Sequence, residues 1–273
     1  MKKLLDFENK EVVNVFDEVT LWSAPFGRLL LENIPMKPKA KVVDIGFGTG
    51  FPLIELSQRF GNESEIYGID IWKEGINRTK EKIKIFELNN IKIIEQSATK
   101  INLENNQIDL VTSNLGVNNF SEKEKVYKEI RRILKSDGRL CITTNPIGTF
   151  EELFKLFHSI LNEMNLKKEL ILLEEYIKHR NTSQQIISEF EESGFVLLKK
   201  KFDSTNVRFV DADSLLNHGL IRIGFRVSWE KMIRIEKRTE FFERLIFKIK
   251  EIINSKGEFK ISIPMLYLEF KKE

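Results

Sequence analysis

Asp44, Gly46, Gly48 and Gly50 occupy alternate positions of the stretch VVDIGFGTG, directly after a short apolar run. Three glycines in five positions mark a turn that uses backbone conformations other residues avoid, and that something approaches closely. Glycine loops after strands cradle nucleotides, and their neighbours decide which one. A phosphate-clamping loop needs Lys-Ser/Thr after its last glycine, whereas Phe51-Pro52 follow here. A dinucleotide loop of the form G-x-G-x-x-G wants its third glycine at position 51, which is Phe. Asp44 lies ahead of the first glycine and belongs to neither pattern. A second acid, Asp70, follows Gly50 by 20 residues.

To act together these residues must sit at strand ends. KVVDIG reads as a short buried strand, and PLIELSQRF as a helix with Leu53, Leu56 and Phe60 at spacings of three and four. Pro52 suits the first turn of that helix, where its missing N–H costs little. EIYGID is a second strand ending at Asp70, and Trp72, Ile76, Thr79, Ile83 and Phe86 form the stripe of the next helix. IKIIEQS and IDLVTSNL are the third and fourth strands. SEKEKVYKEIRRILKSDG is a helix with a Ser121/Glu124 capping box and Gly138 as its stop, and RLCITTN is a fifth strand. Strands alternating with helices argue for an α/β fold with a parallel sheet and right-handed crossovers. After Pro146 about three helices fill 150–193, FVLLKKKF reads as a strand, helical periodicity covers about 212–254, and EFKISIPMLYLEFKK closes as a strand. The two late strands are expected at one sheet edge, one of them antiparallel.

Asp44-x-Gly46-x-Gly48-x-Gly50 resembles the first motif of class I S-adenosylmethionine-dependent methyltransferases. IDLVTSNLGVNNF resembles that family's fourth motif, and RRILKSDGRLCIT resembles its L-K-P-G-G-R-L turn. The segment from Asn114 to Leu140 is also similar to the small-molecule "type 11" and ubiquinone/menaquinone-biosynthesis group. That group commonly carries an F-G-L-R-N stretch where this chain has Leu115-Gly116-Val117-Asn118-Asn119, without the Arg. The resemblance covers about residues 40–145. It implies a Rossmann-like sheet of seven mostly parallel strands, one antiparallel, with helices on both faces. Residues 1–35 would form cap helices and 36–273 the methyltransferase domain, with a helical acceptor lid inserted at about 204–254.

The same resemblance assigns residues to the cofactor, S-adenosyl-L-methionine. Gly46, Gly48 and Gly50 would admit its methionine and ribose portions, and Asp44 would organise polar contacts near the methionyl ammonium. Asp70, with Ile71 beside it, would accept hydrogen bonds from both ribose hydroxyls; a carboxylate suits hydroxyls and repels phosphate. Ser97 and Ala98 would flank the adenine, at a position where the family often has Asp. Asn114 and Leu115, at the end of the fourth strand, would line the space between sulfonium and acceptor. An enzyme moving a methyl group to a small organic acceptor is the resulting expectation. A non-catalytic module that binds the cofactor, and an NAD-type oxidoreductase, stay open beside it.

The acceptor is narrowed by exclusion. Amino-methylating DNA enzymes of this fold carry [D/N/S]-P-P-[Y/F] where this chain has SNLG, and cytosine-C5 enzymes need a Pro-Cys in that loop. The single cysteine, Cys141, lies on the next strand, so it offers no such nucleophile, no disulfide framework, no thiolate metal site and no arsenite chemistry. Forty-four Lys and Arg against 41 Asp and Glu leave a net charge of +3, no guide to nucleic acid. Lys199–Lys201 read as a solvated strand edge. Phe16, Trp22 and Phe26 would wall an apolar pocket or pack the cap. His158, His179 and His218 are the candidate bases, with His218 in the presumed lid the weak catalytic candidate. Residues 229–253 read as a basic amphipathic helix packed on the domain, with a membrane-surface role the alternative. MKKLLDFENK lacks the apolar run of a signal peptide, and no stretch is long enough to span a bilayer. The expectation is a cytoplasmic protein with a small-molecule acceptor, no nucleic-acid partner, no integral membrane association, and a homodimer left open.

Overall fold

A computed structural model describes residues 6, 8–16 and 22–273. Parts of the expected N-terminal cap (1–5, 7 and 17–21) and the side chain of Phe16 lie outside the described residues. In chain order the elements begin with α1 (Lys10–Phe16), α2 (Ser23–Leu31), β1 (Lys41–Ile45), α3 (Leu53–Phe60), β2 (Glu65–Asp70), α4 (Lys73–Ile85) and β3 (Ile91–Glu95). Next come β4 (Ile108–Asn114), a 3-10 turn at Gly116–Asn119, α5 (Lys123–Ile133), β5 (Leu134–Thr144), α6 (Glu151–Glu163), α7 (Lys167–Lys178) and α8 (Ser183–Glu192). The chain ends with β6 (Phe195–Phe209), α9 (Ala212–Asn217), α10 (Gly219–Gly224), α11 (Arg226–Met232), α12 (Ile235–Lys256) and β7 (Phe259–Lys272).

The seven strands form one sheet in the order β3-β2-β1-β4-β5-β7-β6. β1 pairs in parallel with β2 and β4, β2 with β3, and β4 with β5, while β7 runs antiparallel to β5. Val42, Val43, Asp44 and Ile45 are all buried, so both faces of the central strand are covered, as a parallel sheet flanked by helices requires. The chain forms two compact units. One comprises Glu8–Thr144, Ser183–Asp203 and Met265–Glu273; the other contains Asn145–Thr182 and Ser204–Pro264. The core of the first joins strand residues such as Ile45, Val111 and Leu140 to Val126 and Ile130 of α5 and Phe190 of α8. Phe190 stacks on Phe270 at 4.7 Å and meets Tyr127 at 4.3 Å.

The second unit is built on aromatic packing. Trp229 is fully buried, its ring 5.6 Å from Phe157, 6.1 Å from Phe150 and 6.3 Å from Phe154, all edge to face. Phe157 in turn meets Phe241 of α12 edge-on at 5.0 Å. Such pairs add to the burial of large rings. Replacing Trp229 by Ala is expected to destabilise the protein by about 3–5 kcal/mol, read as a lower urea midpoint at unchanged slope. Met232, Ile233, Leu245 and Ile249 are buried too, so the expected apolar stripe of 229–253 packs within this unit.

Several local expectations gave way to tertiary context. α5 starts at Lys123 with Glu122 at its N-cap and no side-chain cap bond, so the Ser121/Glu124 capping box does not form. That helix ends at Ile133 because Leu134 already pairs with Ile108 in the sheet, and an irregular turn follows before Arg139 pairs with Leu110. Gly138 serves this turn rather than a helix stop; a Cβ there would sit 2.9 Å from the Ile108 carbonyl. α4 ends at Ile85, so Phe86 falls beyond its stripe and is exposed. The helical stretch after 211 is four helices, α9 to α12, rather than one continuous run.

Candidate functional site

The parallel order β3-β2-β1-β4 brings the carboxyl ends of four strands together, where ligands of open α/β sheets bind. A cavity of about 340 Å³ lies there, lined from β1, β2 and the segments that follow β2, β3 and β4. Of the residues singled out in the sequence, Gly46, Gly48, Asp70, Ile71, Ser97 and Ala98 line it.

The glycine loop is held by the chain around it. The Gly46 amide donates to the Ile69 carbonyl (2.8 Å), which continues the β1–β2 pairing beyond the strand. The Gly48 carbonyl accepts from the Thr79 hydroxyl (3.1 Å) and the Thr49 carbonyl from Lys82 Nζ (2.7 Å), both on α4. All three glycines have positive φ, at +77°, +55° and +108°. A Cβ on Gly46 would also sit 3.1 Å from Gly116 Cα. Gly46→Ala therefore combines left-handed strain with a tight approach to the Gly116 backbone. We expect it to cost at least about 1–2 kcal/mol, lowering Tm by about 2–4 °C per kcal/mol in a thermal melt.

Asp70 closes the other side of the loop. Its Oδ2 accepts the Gly48 amide (2.7 Å) and its Oδ1 accepts those of Ile71 (2.7 Å) and Trp72 (2.8 Å). The carboxylate thus ties the glycine loop to the start of α4. Two oxygens offer about four acceptor positions, so three amides leave capacity for a ligand donor. Trp72, which no motif flagged, packs between loop and helix: a Cβ on Gly75 would lie 2.5 Å from its ring.

Asp44 does not line the cavity. It is completely buried in β1, where Oδ1 accepts the Thr112 hydroxyl from β4 (2.8 Å) and Oδ2 has no partner among the described residues. Burial pushes its pKa up to about 7, with the Asp70 charge adding to the rise and the Thr112 bond opposing it. A buried carboxyl oxygen left unmatched is costly, and a ligand ammonium would repair it.

The remaining candidates divide. The hydroxyls of Ser97 and Thr99 are 2.9 Å apart at the end of β3. Gly50 stays outside the cavity, with a hypothetical Cβ 3.2 Å from Ile54 and from the Thr79 hydroxyl oxygen. Asn114 also lies outside it: Oδ1 accepts the Thr143 hydroxyl (2.7 Å), and Nδ2 donates to the Ser23 carbonyl (3.2 Å), fastening α2 to the sheet. Leu115 adopts φ +63° and turns the chain so that Gly116, which does line the cavity, can approach Gly46. Sequence reasoning missed Trp72, Gln96, Thr99, Asn119, Phe120 and Ser121 on the cavity wall. Phe26 is buried and Trp22 half-buried, 5.8 Å apart in α2 and just before it.

His218 lies in the other unit, before α10. Its Nδ1 is buried without a partner among the described residues, its ring meets Phe209 edge-on at 5.6 Å, and burial holds the imidazole below its usual pKa. His158 and His179 are exposed. Cys141 is buried in β5 beneath the Tyr267 hydroxyl (3.2 Å), and burial pushes its thiol up to about 12, which makes it inert.

The site suits S-adenosylmethionine on three counts. Asp44, one carboxyl oxygen of which has no partner among the described residues, is buried in β1 next to cavity-lining Ile45, glycine backbone at positive φ forms one wall, and the Asp70 carboxylate keeps acceptor capacity. Ile71, Ala98, Phe120 and Val126 supply apolar wall for a flat heterocycle.

Comparison with known proteins agrees. A family model described as a methyltransferase domain matches residues 36–194. The chain is 28% identical over 168 residues to a demethylmenaquinone methyltransferase of Bacillus mycoides, covering 58% of this chain and 71% of that protein. Among solved structures, the YcgJ protein of Bacillus subtilis superposes with a TM-score of 0.60 at 14% identity, covering 92% of this chain and 99% of that one. A SAM-dependent methyltransferase from Aquifex aeolicus gives 0.53 at 20% identity, covering 70% and 91%.

Proposed function

This chain belongs to the methyltransferase-domain family, and from that premise we propose that its β-strand-end cavity holds S-adenosylmethionine for transfer of a methyl group to a small, apolar organic molecule. Methyl transfer from S-adenosylmethionine is its activity; the acceptor and the residue roles are our reading. The observation that carries the placement is the Asp70 carboxylate, fixed by three backbone amides at the mouth of the glycine loop.

When bound, S-adenosylmethionine supplies an electrophilic methyl on a sulfonium sulfur. The chain's own residues bind and orient it. Gly46 and Gly48 present bare backbone, Asp70 receives a ribose hydroxyl on its remaining acceptor position, Asp44 answers the methionyl ammonium, and Ser97, Ala98 and Ile71 border the purine. Asn114 and Leu115 shape the turn that sets Gly116 against the loop. Gly50 supports the loop from behind.

Asp70 is the one titratable side chain among the described residues lining the cavity. Rate enhancement through positioning and exclusion of water accords with that lining. The buried, unreactive Cys141 accords with a cytoplasmic setting.

The test is transfer of a labelled methyl group from S-adenosylmethionine to a panel of phenols, amines and short-chain demethylmenaquinol analogues, the last suggested by the name of the Bacillus mycoides relative. Transfer to at least one uncharged aromatic member is expected. Tight cofactor binding with no transfer across the panel would contradict the reading and leave a non-catalytic binding module.

A further inference from the structure

A second groove, of about 660 Å³ and open to solvent, lies in the other unit between α7 and the junction of α11 with α12. Four cations line it: Lys167, Lys168, Lys231 and Arg234. Arg234 is tied to the buried carboxylate of Glu169 through Nε (2.5 Å) and Nη2 (3.0 Å). Lys167, Lys168 and Lys231 are exposed and engage no other described residue. Lys167 and Lys168 open α7, where the helix dipole disfavours cations, so nothing within the helix accounts for them. Glu236 is the other acid on the groove, which leaves a surplus of positive charge.

Exposed aliphatic side chains neighbour these cations along the chain, and Leu172 lines the groove itself. Ile171 is 61% and Leu172 44% exposed one turn along α7, and Ile235, next to Arg234, is 77% exposed. Exposed aliphatic groups beside unpaired lysines match one environment, in which phosphates lie above and acyl chains below. Nucleic acid fits less well, because Ile and Leu offer no ring for bases to stack on. A second copy would set like charges against each other. No helix among the described residues is long and apolar enough to cross a membrane, so any association is peripheral.

We propose that this face docks on an anionic lipid bilayer, with Lys167, Lys168 and Lys231 at the headgroup phosphates and Ile171, Leu172 and Ile235 in the boundary layer. The assignment rests on none of the cofactor contacts, so either can fail without the other.

Co-sedimentation of the full chain with vesicles tests it. Vesicles of phosphatidylcholine containing phosphatidylglycerol should retain the protein, and vesicles of phosphatidylcholine alone should not. The triple variant Lys167→Gln/Lys168→Gln/Lys231→Gln should partition on the order of 100-fold more weakly, about fivefold per lysine. Raising the salt to about 0.5 M should act in the same direction. Ile171→Ser with Ile235→Ser should weaken binding while its salt dependence persists. All these residues are exposed, and unchanged melting and S-adenosylhomocysteine affinity would confirm that the variants are folded. Free glycerol phosphate should not compete with the vesicles. Equal retention by both vesicle types, wild-type partitioning of the triple variant, or no retention would each overturn the proposal. So would lysine-dependent binding of a duplex oligonucleotide, or of a second copy, without vesicle binding.

Discussion

Replacing Asp70 by Ala is expected to weaken S-adenosylmethionine binding on the order of 100-fold while leaving the protein folded. Hydrogen bonds to a charged group contribute about 1.5–3 kcal/mol each, and 100-fold corresponds to about 2.7 kcal/mol. Two losses combine here. A ribose hydroxyl loses its acceptor, and the amides of Gly48, Ile71 and Trp72 lose the group that aligns loop with helix. Asp70→Asn keeps the shape and one acceptor oxygen, and should fall between wild type and Ala. Calorimetric titration with a parallel thermal melt distinguishes the roles. Unchanged affinity in a folded Ala variant would mean that Asp70 merely organises the start of α4.

The second large effect is a pH signature centred on Asp44. Its pKa stands near 7 in the folded protein because burial opposes ionisation, against an ordinary value of 3.8. The folded chain therefore holds a proton that the unfolded chain has released across this interval. Stability attributable to Asp44 is intact below about pH 4, falls as pH rises toward 7, and is lowest above 7. The shift corresponds to about 4 kcal/mol in full. Asp44→Asn should flatten that dependence, so its stability relative to wild type improves from pH 4 to about 7 and levels off above it. A ligand ammonium would favour the ionised form, and S-adenosylmethionine binding should release protons below pH 7. Between about pH 5.5 and 7 an α-amino group, with its pKa near 7.7–8.0, stays cationic, so the change belongs to the protein. Affinity should rise toward neutrality in wild type and be weaker and flat in Asp44→Asn. Titration in buffers of different ionisation enthalpy reads the proton count directly; no proton release in wild type would remove Asp44 from the ammonium's surroundings.

The legible part of this protein was whatever its local chemistry spells out. Strand periodicity located the seven strands, and Gly46, Gly48 and Asp70 of the motif marked the cavity wall, because both are properties of short segments. Contributions that depend on topology were not readable. Gln96, Thr99 and Phe120 sit in loops with no special composition, and only the sheet order makes them neighbours of the glycine loop. Gly116 carried a faint signal, a glycine just past a strand end; the reason for it, a Cβ 2.7 Å from the Ile45 carbonyl, appears only in three dimensions. Asn114 looked like a ligand contact because of its place on β4, yet its amide is spent on Thr143 and Ser23, partners 29 and 91 residues away. Gly138 failed as a helix stop for a related reason: a local pattern has no knowledge of the strand pairing at Leu134 that ends α5.

The central claim is the placement of the cofactor, and a crystal structure of the full chain with S-adenosylhomocysteine tests it most directly. The account predicts a ribose hydroxyl on the Asp70 carboxylate, the methionyl end over Gly46 and Gly48 near Asp44, and the purine between Ile71 and Ala98. A ribose bound away from Asp70, or the cofactor product in any other part of the chain, would contradict it.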